Sequence, residues 1–203
     1  MKRQHGLTVS LVVALLFAAL VQGAGVVRAV DTPRLPTSAA DWTTFTPGER
    51  DAALSYEWTQ FQALLASGSI HATSVTQSGV TQSGGGRLAP LVTATYSCQV
   101  QWYNVPEGSY VRGGGWTDTS ANVYYQYASR PGLQGQFLRD GSLKSNWWST
   151  TYNGSHAENW TGYDFKWWFE HPNYVTKGWH GAELSNGTWI LGPDQYCTAS
   201  ASP

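Results

Sequence analysis

The side chains with most to offer chemically are the large rings. The 203 residues include 11 Trp and 11 Tyr, and aromatic residues at 14% outnumber charged ones at 12%. That is more large rings than a β domain of about 110 residues can easily bury, so some are expected at the surface. An exposed Trp or Tyr presents a flat apolar face with a hydrogen-bonding group at its rim. Such faces stack on the C–H surfaces of sugar rings, while Gln and Asn amides bond the hydroxyls. The candidate ligand-binding residues are Trp168, Trp148, Tyr124 and Tyr103, with Gln101 as an amide partner. Trp168 stands first because it falls on the polar side of the alternating stretch Thr161–His171, between Lys166 and Glu170.

Bond-cleaving chemistry is less well provided for. A glycosidase needs two carboxyl groups about 5 to 9.5 Å apart. Asp164 and Glu170 share a face of that stretch, but as one continuous strand it would hold them about 20 Å apart. A cross-strand pair such as Glu170 with Glu183 is the remaining arrangement. Of the histidines, His71, His156 and His171 have no metal-ligand spacing, and His180-Gly-Ala-Glu183 on a strand sends its two ligand types to opposite faces. No Ser stands in a Gly-x-Ser-x-Gly elbow. Gly113-Gly114-Gly115 is followed by Trp116 rather than by Lys-Ser/Thr and a helix, so it is a bulge or close approach of backbones and not a phosphate loop. No metal and no other cofactor is expected.

Cys98 and Cys197 are the two cysteines. One disulfide between them would close a loop of about 100 residues, worth roughly 4 to 5 kcal/mol in the chain-entropy account. That assignment fits an oxidising compartment, and the N-terminus agrees. Lys2 and Arg3 precede an uncharged run from Leu7 to Gln22, and Val27-Arg28-Ala29 places small residues where a signal peptidase cuts, giving a signal peptide over 1–29. Its removal takes Lys2, Arg3 and Arg28 from the 12 basic residues and leaves nine against 13 acids, a net charge of −4. An acidic chain with scattered Lys and Arg has no footprint for nucleic acid or, once the signal is cleaved, for a membrane. Asn153, Asn159 and Asn186 stand in glycosylation sequons, and Asn186 also suits a hairpin turn.

The elements that must position these groups can be read in order. Residues 30–46, with Pro33 and Pro36, form an extended N-terminal segment. Thr46-Pro47-Gly48-Glu49 is a capping box with Pro at the first helical position, and it starts an amphipathic helix over 47–67 that Gly68 ends. Its apolar stripe is Leu54, Trp58, Phe61 and Leu65. Residues 68–88 are Ser, Thr, Gln and Gly with an immediate Val-Thr-Gln-Ser-Gly repeat at Val75 and Val80, and read as a flexible low-complexity linker.

From residue 89 to 197 the pattern has period two. Leu91–Tyr103 is one long strand, with Val92, Ala94, Tyr96, Cys98, Val100 and Trp102 on its apolar face. Pro106-Glu107-Gly108 is a turn, and Val123, Tyr125 and Tyr127 share another strand face. Asp140-Gly141 pairs Leu138 with Leu143; Asn186-Gly187 pairs Leu184 with Trp189 and Ala182 with Leu191. The fold class is therefore all-β, an antiparallel β-sandwich (jelly-roll-like) or barrel closed by the disulfide, preceded by one amphipathic α-helix and followed by a tail at 198–203. The expected function is that of a secreted, non-catalytic protein binding a glycan or cell-surface component. The alternatives are a secreted hydrolase with a cross-strand acidic pair, or an effector or inhibitor that binds another protein. The oligomeric state is not written in the sequence.

Overall fold

The computed structural model describes residues 32–83, 92–120, 129–151, 154–184, 187 and 189–203. The signal peptide expected over 1–29, the strand expected around Val123, and Tyr124 fall outside these residues. Among those described, nine strands form two antiparallel sheets. Sheet A is ordered β1 (Thr73–Ser83), β2 (Val92–Val105), β3 (Gly108–Thr119) and β6 (His156–Trp160), with β7 (Asp164–Trp167) also on β3. Sheet B is ordered β5 (Ser142–Thr150), β4 (Ser129–Arg139), β8 (Tyr174–Leu184) and β9 (Trp189–Ala201). Two facing sheets make this a sandwich rather than a barrel. No helix of the described residues is long and apolar enough to cross a membrane.

The alternation on β2 explains how the layers meet. Ala94, Cys98 and Val100 are fully buried, and Cys98 and Val100 pack with Val111, Phe137, Tyr174 and Ala199. The disulfide between Cys98 and Cys197 has its Cα atoms 5.7 Å apart and joins β2 of sheet A to β9 of sheet B through this core. Gly113-Gly114-Gly115 lies within β3 and makes no bend. Side chains there would collide: a Cβ at Gly113 with Thr176 Oγ1 and the Phe137 ring, at Gly115 with the Ser97 carbonyl and Trp147. The triplet is a close approach of sheets.

Asp140 and Gly141 have φ of 50° and 77°, the two left-handed residues of a type I′ turn, and Leu138 pairs with Leu143 as expected. Ala182 also pairs with Leu191. Trp189, however, pairs with Glu183 rather than Leu184, because the register shifts on either side of Ala182.

Four boundaries differ from the sequence reading. The expected linker is, over Thr73–Ser83, an edge strand paired along its whole length with β2. An edge strand takes its main-chain hydrogen bonds from one partner and needs to cover only one face. Val75 packs on the disulfide core, Gly79 makes room for the Tyr96 ring, and Ser74, Thr76 and Ser78 stay in water. The stretch Thr161–His171 is a strand only over Asp164–Trp167. The chain then turns at Trp168–Phe169, where Glu170 N bonds Trp167 O, Trp167 N bonds Glu170 Oε2, and Trp168 N bonds Glu107 O. The tail belongs to β9 as far as Ala201, which pairs with Tyr174. The extended N-terminal segment contains a helix, α1 (Ala39–Thr43), capped by Ser38.

The longer helix, α2, spans Pro47–Ser67 as expected, with the Thr46/Glu49 capping box and Gly68 at φ 69°. It packs against sheet A, but its seam is rotated from the expected stripe. Ala53, Glu57 and Phe61 are buried, whereas Leu54 and Trp58 remain exposed. Phe61 sets this rotation: it stacks on Tyr110 at 4.1 Å and meets Tyr103 and Tyr163 edge-on. Trp58 joins this nest of rings from its rim, edge-on to Tyr110 and tilted against Tyr163.

Candidate functional site

Three of the five exposed rings among the described residues, Trp148, Trp189 and Tyr196, lie on the outer face of sheet B; Trp58 and Trp168 lie elsewhere. In an antiparallel sheet, directly paired residues share a face. Trp148 on β5 pairs with Gln134 on β4, Gln134 with Trp179 on β8, and Trp179 with Tyr196 on β9. These four side chains form one rung across all four strands. Trp148 is 69% exposed and Tyr196 64%. A second rung, Asn146–Gln136–Lys177–Thr198, runs beside the first. On the other side, Thr150 pairs with Gly132 and Gly132 with Gly181, so two central positions carry no side chain. There the sheet surface drops into a depression of about 310 Å³ that Trp148, Trp179 and Trp189 wall. A second depression of about 400 Å³ continues over Gln134, Gln136, Asn146 and Trp148.

Local sequence sets this face. Trp147 and Trp148 are adjacent, so one must point inward. Trp147 does, into space left by Gly115, Gly135 and Gly178, at each of which a Cβ would meet its ring. The anchored Trp147 turns Trp148 outward. Asn159 on β6 donates its amide to the Trp148 carbonyl and holds β5 from the other sheet.

The other sequence candidates are dispersed. Trp168 is 52% exposed but lies in the turn after β7, edge-on to Phe169. The neighbouring Glu170 binds Arg139, and β4 runs from Arg139 to Gln134, the partner of Trp148, over about 17 Å of strand. Tyr103 is half-buried under α2, edge-on to Phe61 and Tyr163. Gln101 gives its Oε1 to both Nε and Nη2 of Arg112, whose guanidinium covers the rings of Trp160 and Tyr163.

The acidic groups also differ from expectation. Because the strand ends at Trp167, Asp164 and Glu170 come together: Arg139 bonds Asp164 through Nη1 at 3.1 Å and Glu170 through Nη2 at 2.9 Å, and Lys144 adds to Asp164. The 20 Å separation that a continuous strand would impose does not exist. The pair instead flanks a guanidinium, an ion-pair network that also receives the Tyr174 hydroxyl. Glu170 and Glu183 are not a pair, since Glu170 binds Arg139 while Glu183 stands opposite Arg130 in the β4–β8 ladder, nine positions along β4 and about 30 Å away. On sheet A, His156 sits between Asp118 and Glu158, which hold its imidazole above the ordinary range.

Inside the sandwich, the donor atoms of Cys98, His180 and Cys197 lie within 4.8 Å of one another. The sulfurs are bonded to each other and cannot act as thiolate ligands. His180 Nδ1 is 2.8 Å from Thr117 Oγ1, which itself donates to the Gly132 carbonyl, so Nδ1 carries the proton and Nε2 faces Cys197 Sγ at 3.2 Å. Burial pushes this imidazole down to about 4, and it is a neutral core residue.

Fold and face together define a disulfide-closed β-sandwich with an aromatic and amide platform on one sheet. No protein-family model, no curated protein and no solved structure matches the chain.

Proposed function

We propose that this is an exported, non-catalytic glycan-binding protein and that the outer face of sheet B is its binding surface. The rung Trp148–Gln134–Trp179–Tyr196 carries this reading. An amide stands between the first two rings there and a third ring follows the second, and a parallel rung of amides, Lys177 and Thr198 lies within reach of the hydroxyls of a stacked sugar. The leader-like N-terminus and the interior disulfide support export.

Pull-down of the mature protein with insoluble polysaccharides and cell walls tests the reading, comparing wild type, Trp179→Ala and Trp168→Ala. Wild type and Trp168→Ala are retained and Trp179→Ala is lost. Retention of none on any matrix would remove glycan binding, and equal retention of all three would move the site elsewhere.

A further inference from the structure

We infer that the sheet B face takes a linear, uncharged, β-linked polysaccharide whose chain runs across the strands, one sugar over each, from β5 to β9. This rests on the glycan-binding reading above and adds the ligand class, its direction and its length. Neighbouring strands are about 4.8 Å apart, so Trp148 and Trp179, two strands apart in one rung, are about 10 Å apart, and Tyr196 is one strand further on. An extended chain of β-1,4-linked pyranoses advances by nearly one strand spacing per sugar, and alternate sugars are turned over. Sugars two apart therefore present the same face, and the two Trp rings stand under such a pair.

Gln134, between the rings, meets the intervening sugar, and the rung of Asn146, Gln136 and Lys177 bonds hydroxyls along one edge. Charge complementarity selects an uncharged chain. Among the described residues of these two rungs, Lys177 is the single charged side chain, and amides occupy three of the four positions on β4 and β5, beside Trp148. A coiled α-linked glucan does not keep its sugars level over a flat row of rings.

The experiment is calorimetric titration of the mature chain with β-1,4-linked glucose, xylose and N-acetylglucosamine oligomers of two to six sugars, with α-1,4-linked maltohexaose beside them. In at least one β-linked series, affinity rises up to four sugars and then levels off. Tyr196→Ala costs the tetrasaccharide about tenfold and moves the plateau to three sugars, Trp179→Ala costs more than Tyr196→Ala at every length, and Trp168→Ala matches wild type. Affinity independent of length, or maltohexaose binding as well as the β-linked hexamers, would refute the chain geometry while leaving glycan binding intact. Failure of all oligomers and all insoluble matrices would take both readings down. A dimer that Trp148→Ala converts to monomer would show that a second copy, not a sugar, covers the face.

Discussion

Glu57 is the buried charge most exposed to test. It lies on the seam of α2, 2% exposed, with no partner for Oε1 among the described residues; the Tyr110 hydroxyl below the helix is likewise buried without one among them. Burial first, and the charge of Glu107 second, push its carboxyl up to about 7. A carboxyl that titrates near 7 when folded and near 4.5 when unfolded makes the unfolded chain bind fewer protons between those values, so stability falls as pH rises through that window. Below the window the contribution is fully retained. Above it the folded state carries a penalty of about 3 kcal/mol. Glu57→Gln replaces the acid with a neutral side chain of the same shape and removes the dependence.

Urea denaturation of both proteins at pH 4, 6 and 8.5 gives the stability difference at each pH. Contributions shared by the two proteins cancel, as does any constant cost of seating the amide. The expected result is a difference that moves toward the variant by about 3 kcal/mol between pH 4 and 8.5. A difference that stays flat with pH would show that Glu57 is not held uncharged beneath the helix.

Three further outcomes are expected. Gly132→Val puts a side chain into the floor of the 310 Å³ depression where the nearest atom to a Cβ is 3.6 Å away, so glycan affinity falls at least tenfold while the urea midpoint stays within error. Trp147→Ala, which empties the space facing three glycines, lowers unfolding free energy by about 3 to 5 kcal/mol, whereas Trp148→Ala leaves it nearly unchanged; paired denaturation curves separate them. Replacing Cys98 and Cys197 together with Ala lowers stability by about 4 kcal/mol at equilibrium, read from the same curves.

The strand pattern of the chain was legible wherever local chemistry decides it. The capping box at Thr46, the inward face of β2, the Asp140-Gly141 turn and the cysteine pairing all follow from residue type and spacing. The platform on sheet B was not, because its register is set by irregularities that composition does not announce. Counting back from the Asp140-Gly141 turn places Gln134 opposite Trp147; a register shift between Phe137 and Leu138 puts Trp148 there instead and so changes which Trp faces out beside it.

A similar slip on either side of Ala182 slides Tyr196 opposite Trp179. Trp179, Trp189 and Tyr196 were therefore missed as partners of Trp148, although the alternation Lys177–Trp179 against His180 was a usable signal. The edge strand β1 was hidden by its composition, since its stability comes from a neighbour's hydrogen bonds rather than from its own apolar surface. Asp164 and Glu170 read as distant along one strand because nothing in their alternating pattern foretells the turn at Trp168.

The bridge also has a mechanical meaning. A ligand lying across the strands pulls along the inter-strand hydrogen bonds, the direction in which an edge strand peels away most readily. β9 is such an edge, and Tyr196 would be the first ring lost. Cys197 is the next residue, and its sulfur is bonded through the interior to β2 of the opposite sheet. Load applied to the outermost ring passes into a covalent tie as well as the ladder of hydrogen bonds to β8, at the point where a sandwich ordinarily begins to unzip.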